Sequence, residues 1–227
     1  MIKLPEEREV ANLHCHSFYS YNGYGYSPSH LVWLAKKQGI KFMGIVDFDV
    51  LDDVDEFLDA CDFAGIRGTA GIETRVYIPE FTQDEINSPC EPRIAYHMGT
   101  GFVSSKVPVK VAQKFENIRE RVVQRNLQIP EKVNEFLAPL VLDYEKDILP
   151  LTPAGYATER HMVREIAERA FELFEDPIEF WHKKPHLSKE KFALTIPNAN
   201  SFQNLMRNKL MKRGGWGRFN LKGMHFH

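Results

Sequence analysis

A repeated pattern constrains this chain more than any single motif. Three short apolar stretches in the first half each end in side chains able to bind a metal, and helix-like segments separate them. Val10-Ala11-Asn12-Leu13 leads into His14-Cys15-His16. Ile40 to Val46 leads into Asp47-Phe48-Asp49. Ile66 to Ile78 contains a third strand that carries Gly71-Ile72-Glu73. Between the first two, Ser27 suits an N-cap and Pro28 the first helical position. Leu31, Leu34 and Ala35 supply an apolar face there, and Gly39 ends the helix. Between the second and third, Asp52-Asp53 opens a helix in which Val54, Phe57, Leu58 and Cys61 keep helical spacing up to Gly65. The apolar run from Ile40 is continuous rather than alternating, as in a strand buried on both faces of a parallel sheet. A βαβαβ order of this kind predicts an α/β fold.

Side chains alternate faces along a strand, so His14 and His16 point the same way and Cys15 the other. Cys15 therefore reads as a packed residue rather than a ligand. Pro79 to Pro92 reads as a loop. Arg93 to Val103 gives a fourth strand with His97, followed by Gly99 and Gly101. Strand after strand ending in His, Asp or Glu is the arrangement expected at the rim of a parallel barrel. Imidazole and carboxylate donors suit zinc, manganese or iron, without choosing among them. Arg75, two residues beyond Glu73 on the same strand face, has a fork that could hold a phosphate oxygen or form a salt bridge at the strand end.

The second half changes character. Val109 to Asn126 reads as an amphipathic helix whose basic residues alternate with acids, the pattern of a solvated face. A shorter helix is expected over Pro130 to Leu137. Thr158 caps another, with Met162, Ile166, Ala170 and Phe174 at i, i+4. Phe202, Leu205, Met206 and Leu210 suit a further helix made basic by Arg207, Lys209, Lys212 and Arg213. A Gly/Trp-rich stretch and a second His-x-His at His225 and His227 follow. These changes divide the chain into residues 1–107 with the metal motifs, a helical insertion at 108–182, and a basic helix with a flexible tail at 183–227.

Apolar residues make up 43% of the 227, enough for a sizeable core, and the formal net charge of −2 gives no global sign of nucleic-acid binding. The three cysteines show no CxxC pair, as in a reducing compartment. The N-terminus lacks the apolar core of a signal peptide, and no run reaches the roughly 20 apolar residues of a membrane span, so a cytoplasmic location is expected. The acids Asp52, Asp53, Asp55 and Glu56 suit a helix N-terminus.

In order and rough spacing, Asn12-Leu13-His14-Cys15-His16-Ser17, Gly44-Ile45-Val46-Asp47-Phe48-Asp49, Gly71-Ile72-Glu73 and Tyr96-His97-Met98-Gly99 resemble the PHP (polymerase and histidinol phosphatase) superfamily. The resemblance implies a distorted (β/α)7 barrel, here incomplete, with a helical insertion. It also implies a metal-dependent phosphoesterase in which His14, His16 and Glu73 hold one ion and Glu73 bridges to a second at His97. Asp47 would stand beside the site. Thr158-Glu159-Arg160-His161-Met162 resembles the Arg-His that opens a helix in some members' inserted segment, which would bring His161 toward the substrate; its local setting equally suits a structural helix start.

The departures are specific. Where the family has His after Asp, this chain has Phe48, and the loop after His16 carries Asn22 rather than a further ligand. A third metal is therefore not expected, two are the most, and Phe48 is expected to pack against apolar neighbours or the aromatic loop. The family's later motifs, a His-Pro strand end and a terminal Asp-x-His, are not found, so the chain reads as truncated or divergent. The implied substrate is a phosphate ester, either a small molecule or a nucleic-acid end. The alternative is a PHP-like domain without catalysis, serving binding or structure. Exposed edges of an incomplete barrel would favour self-association.

Overall fold

A computed structural model of the chain describes residues 4–81, 83–88, 92–153, 155, 157–183, 190 and 199–210. Cys90 and the whole stretch from 211 on, including Trp216, His225 and His227, lie outside them. The fold is mixed α/β, and it forms two compact units, Met1–Glu120 and Arg121–His227. The dividing point falls within a helix.

The first unit is built on a four-stranded sheet in the order β1 (Arg8–Asn12), β2 (Ile40–Phe48), β3 (Arg67–Tyr77), β4 (Ile94–Phe102). Helices α1 (Pro28–Lys37) and α2 (Val54–Ala64) connect the first three. Both start and stop as the sequence predicts. The Ser27 side chain accepts a hydrogen bond from the His30 N–H, Pro28 takes the first helical position, and Gly65 ends α2 in the left-handed conformation at φ 67°. The two crossovers bring β1, β2 and β3 into parallel register. Met43 and Ile45 of β2, with Ala70 and Ile72 of β3, turn to the helices and pack with Val32, Ala35, Val54, Phe57 and Cys61. The intervening residues Gly44, Val46 and Phe48 of β2, and Gly71, Glu73 and Arg75 of β3, therefore take the other face.

The fourth strand differs from the expected parallel series. β4 pairs antiparallel with β3, with Glu73 opposite Met98, Thr74 opposite His97 and Arg75 opposite Tyr96. The reason is the connection. Parallel strands need a crossover, usually helical, whereas the link at 78–93 contains no helix among its described residues and returns the chain directly.

The acids at the start of α2 serve the fold. Asp52 pairs with Arg119 at 3.0 Å, Asp55 accepts hydrogen bonds from the Ser105 N–H and hydroxyl, and Glu56 accepts from the Ser29 N–H at 3.0 Å and hydroxyl at 2.7 Å. Asp53 is different. It is buried, makes no cap hydrogen bond, and neither oxygen has a hydrogen-bond partner among the described residues.

In the second unit the core joins Val133, Leu137, Leu140, Ile148, Met162, Ile166, Ala170, Trp181, Phe202, Met206 and Leu210. These come from helix α3 (Val109–Leu137), a π-turn at Tyr144–Ile148, and helices α4 (Glu159–Leu173), α5 (Pro177–His182) and α6 (Ala199–Leu210). The sequence predicts two helices where α3 runs unbroken through Pro130. Proline removes one backbone hydrogen bond and costs about 3 kcal/mol in a helix interior. Burial of Pro130, Val133 and Leu137 on one face of the same helix opposes that cost. On α6 the basic Arg207 pairs with Glu159 at 3.0 Å, an internal tie rather than a free cationic surface. No helix among the described residues is long and apolar enough to cross a membrane.

Burial pushes the Asp53 carboxyl up to about 8, with the nearby charges of Asp47, Asp52 and Glu56 adding to the effect. Because this folded value lies above the unfolded one, the folded chain retains a proton that the unfolded chain releases. The associated stability is complete below about pH 4 and is lost as pH rises toward 8. Asp53→Asn, which keeps the shape and removes the ionisation, is expected to raise Tm at pH 8 by at least about 3 °C, roughly 1 kcal/mol for a chain of this size, and by less at pH 5. Thermal melts of both proteins at the two pH values check this.

Candidate metal centre

The open face of the sheet begins at the end of β1. The chain stays extended past Asn12, and the Val46 N–H bonds to the Cys15 carbonyl at 2.9 Å. That bond continues the β1–β2 ladder and sets the His14-Cys15-His16 alternation. Cys15 packs against the core of the first unit, as the alternation predicts. The two imidazoles turn the opposite way and meet Glu73 of β3.

The three donor atoms are in mutual contact. His14 Nε2 lies 3.0 Å from Glu73 Oε2, His16 Nε2 lies 3.4 Å from the same oxygen, and the two Nε2 atoms are 3.3 Å apart. Ligands held about 2.0–2.1 Å from a tetrahedral centre stand roughly 3.4 Å from one another. The observed separations fit that triangle. Three electron-rich atoms so close also require a proton or a cation among them. Among the described residues, this is the group of His, Cys, Asp and Glu that could hold a metal ion.

Glu73 is buried, His16 is 24% exposed at its side chain and His14 50% exposed, so the cluster has a closed side at the carboxylate and an open side at His14. Burial raises the Glu73 carboxyl above its ordinary value, the neighbouring His14 opposes this, and Asp49 reinforces it. A cation in the triangle would favour the ionised carboxylate.

The supporting residues come largely from the loop after His16. Asp47 is buried and leaves β2 on the helix-facing side. It accepts hydrogen bonds from the Ser17 N–H at 2.8 Å and from the Ser17 and Ser20 hydroxyls. Burial raises its carboxyl, and these donors act against that. Its nearest oxygen is 3.9 Å from His16 Nδ1. Asn22 donates to the His16 carbonyl at 3.0 Å and accepts from the Tyr24 N–H at 2.9 Å. Asp47 and Asn22 thus hold His16 through the backbone around it. Ser17, Ser20 and Asn22 are the contributors that sequence reasoning missed as a group. Their signal is a set of small polar residues inside an otherwise aromatic loop.

Phe48 stacks on the imidazole of His16, with centroids 4.5 Å apart and planes 10° from parallel, and meets Tyr96 edge-on at 6.1 Å. Its expected apolar packing is therefore in part packing against a donor ring. Arg75 shares the Glu73 face, with its guanidinium 6.0 Å from the Tyr96 ring centroid. Asp49 adopts φ 58°, rare for a residue with a side chain, and its N–H bonds to the Glu73 carbonyl at 3.0 Å while Thr74 Oγ1 donates to its carboxylate at 2.6 Å. The turn at the end of β2 is thereby tied to the ligand strand.

The structure does not bring His97 to the triangle. Opposite Thr74 in the antiparallel register, its side chain leaves the sheet on the face away from Glu73 and is exposed. His161 belongs to the second unit. It is buried at the third residue of α4, where its Nδ1 accepts the Thr158 N–H at 3.0 Å in a capping box. Burial pushes its imidazole down to about 4, with Arg164 adding to the shift, so it is neutral at physiological pH.

The sequence matches the PHP domain family over residues 12–207. The chain belongs to the PHP family. Two solved structures share its fold. One is an amidohydrolase from Chromobacterium violaceum, solved with bound sulfate and no metal, at 17% identity and a TM-score of 0.56 over 79% of this chain. The other is a protein from Bifidobacterium adolescentis called a metal-dependent phosphoesterase, at 16% identity and a TM-score of 0.56 over 82% of this chain. This PHP chain spans 57% and 59% of their respective lengths. No curated protein matches it.

Gly44 links the PHP strands to the centre. A methyl group there would stand 2.6 Å from the Leu13 carbonyl oxygen and 2.8 Å from its Cα. The residue after Leu13 is His14, so Gly44→Ala must displace the strand end that carries the ligand. It is expected to destabilise the fold by about 1–3 kcal/mol and to weaken any divalent metal binding at the candidate centre. Chemical denaturation alongside a zinc competition titration measures both effects.

Proposed function

We propose that this chain is a metal-dependent phosphoesterase working from a single divalent ion at His14, His16 and Glu73. The observation that carries the reading is the triangle of donor atoms, 3.0 to 3.4 Å on a side, with its open side at His14. Zinc, manganese and iron all fit two imidazoles and a carboxylate. When bound, such an ion supplies Lewis acidity, lowering the pKa of water and drawing charge from a phosphoryl oxygen.

The chain's own residues do the rest. His14 and His16 present Nε2 atoms toward the ion, and Glu73 supplies the negative charge that balances half of a divalent ion. Arg75, on the Glu73 face, binds phosphate oxygens through its planar fork and orients the ester. Asp47 acts at one remove, holding Ser17 and Ser20 so that His16 keeps its place. The likeness to a protein called a metal-dependent phosphoesterase, and to one that holds sulfate, a tetrahedral oxyanion like phosphate, supports this class of substrate. The position of His97 favours one ion over two. The same position supports a second reading, a PHP domain that binds metal without turnover.

Metal analysis and turnover separate these. Protein purified without added metal and then saturated with zinc or manganese is expected to hold about one equivalent. It is expected to release nitrophenol from a phosphomonoester or a phosphodiester, with release abolished by chelator. Glu73→Gln removes the charge and nearly preserves the shape, so occupancy and rate should fall together, by at least about tenfold. Equal rates in the two proteins exclude the centre as the source of activity. One equivalent of metal with no turnover on either ester selects the binding reading.

A further inference from the structure

We propose that Phe48 is the positioning residue of the metal centre, fixing the rotation of the His16 imidazole so that Nε2 faces the His14–Glu73 pair. The inference rests on the metal-centre reading above. A histidine ring turns about a broad, soft torsion, and a quarter turn would carry Nε2 out of the triangle. Phe48 lies stacked on one face of the ring, with centroids 4.5 Å apart and planes 10° from parallel, the contact geometry that opposes such a turn.

Its own place is set on several sides. Phe48 is the parallel neighbour of Glu73, so the ring that orients one ligand and the side chain of another rise from adjacent strands on one face. Tyr96 abuts the Phe48 ring edge-on at 6.1 Å. Tyr96 is itself pinned at the backbone, since Asn87 accepts from its N–H at 2.6 Å and donates to its carbonyl at 2.9 Å. The order of support runs from Asn87 through Tyr96 and Phe48 to His16. Oriented ligands commonly hold metal ten- to a hundredfold more tightly than unsupported ones. In this chain a flat aromatic contact supplies that orientation.

The test measures cobalt(II) binding to the full chain by competition with a chelator, together with visible absorption of the bound ion. Wild type, Phe48→Leu, Phe48→Met and Phe48→Tyr are compared. Leucine and methionine fill space without a flat face, whereas tyrosine keeps one. Phe48→Leu and Phe48→Met are expected to bind cobalt about tenfold or more weakly, with altered absorption, while thermal melts without metal show them folded. Phe48→Tyr is expected to stay within about threefold of wild type. Having two flat-face deletions keeps the comparison usable if one of them does not fold. Wild-type affinity in a folded Leu or Met variant overturns the positioning role and leaves the centre standing. Equal weakening in the tyrosine variant also overturns it, because the flat face would then be irrelevant. Absence of cobalt binding by the wild type itself overturns the centre, and the role of Phe48 with it.

Discussion

The two-residue period of the sheet is the constraint on which the rest depends. On β2 it sends Met43, Ile45 and Asp47 to the helices and Gly44, Val46 and Phe48 to the open face. On β3 it sends Ala70 and Ile72 one way and Gly71, Glu73 and Arg75 the other. A one-residue slip of either strand would bury Phe48 or Glu73 against α2 and present core residues to solvent. The same burial that makes such a slip costly fixes the ligand face. The stability of the first unit and the geometry of its candidate metal centre therefore have a common origin.

Three buried carboxylates near this sheet show how placement alone divides roles. Burial raises the pKa of all three. Glu73 meets two imidazoles and becomes the carboxylate of the donor triangle. Asp47, leaving on the helix-facing side, meets donors from Ser17 and Ser20 and becomes an anchor for the loop behind His16. Asp53 meets neither and is held neutral over much of the physiological range. An ionised Asp53 would add a second buried negative charge beside Asp47. The hydroxyl and N–H donors around Asp47 favour its charged form, and Asp53 has no such donors.

Much of this was legible from residues alone, because the signals were local. Ser27-Pro28 and Gly65 mark helix ends through backbone chemistry confined to a few residues. The alternation around Cys15 separates two candidate ligands from a packed side chain without any tertiary information. The fourth strand was harder. Its existence follows from Arg93 to Val103, but its direction depends on what precedes it, and the weight of three ordered motifs favoured a fourth parallel strand. The absence of a helical pattern between Pro79 and Pro92 is the physical signal for an antiparallel return. The Pro130 break in α3 failed for the opposite reason. A local rule against proline was overridden by burial on both sides of it, which only the assembled core of the second unit supplies.

The antiparallel return has a chemical consequence. It moves His97 off the ligand face and puts Tyr96 and Met98 there instead, so that β4 contributes an aromatic buttress to the open face rather than a donor. The reversal that supplies this buttress is also what leaves the donor cluster with two imidazoles and one carboxylate, His14, His16 and Glu73, among the described residues.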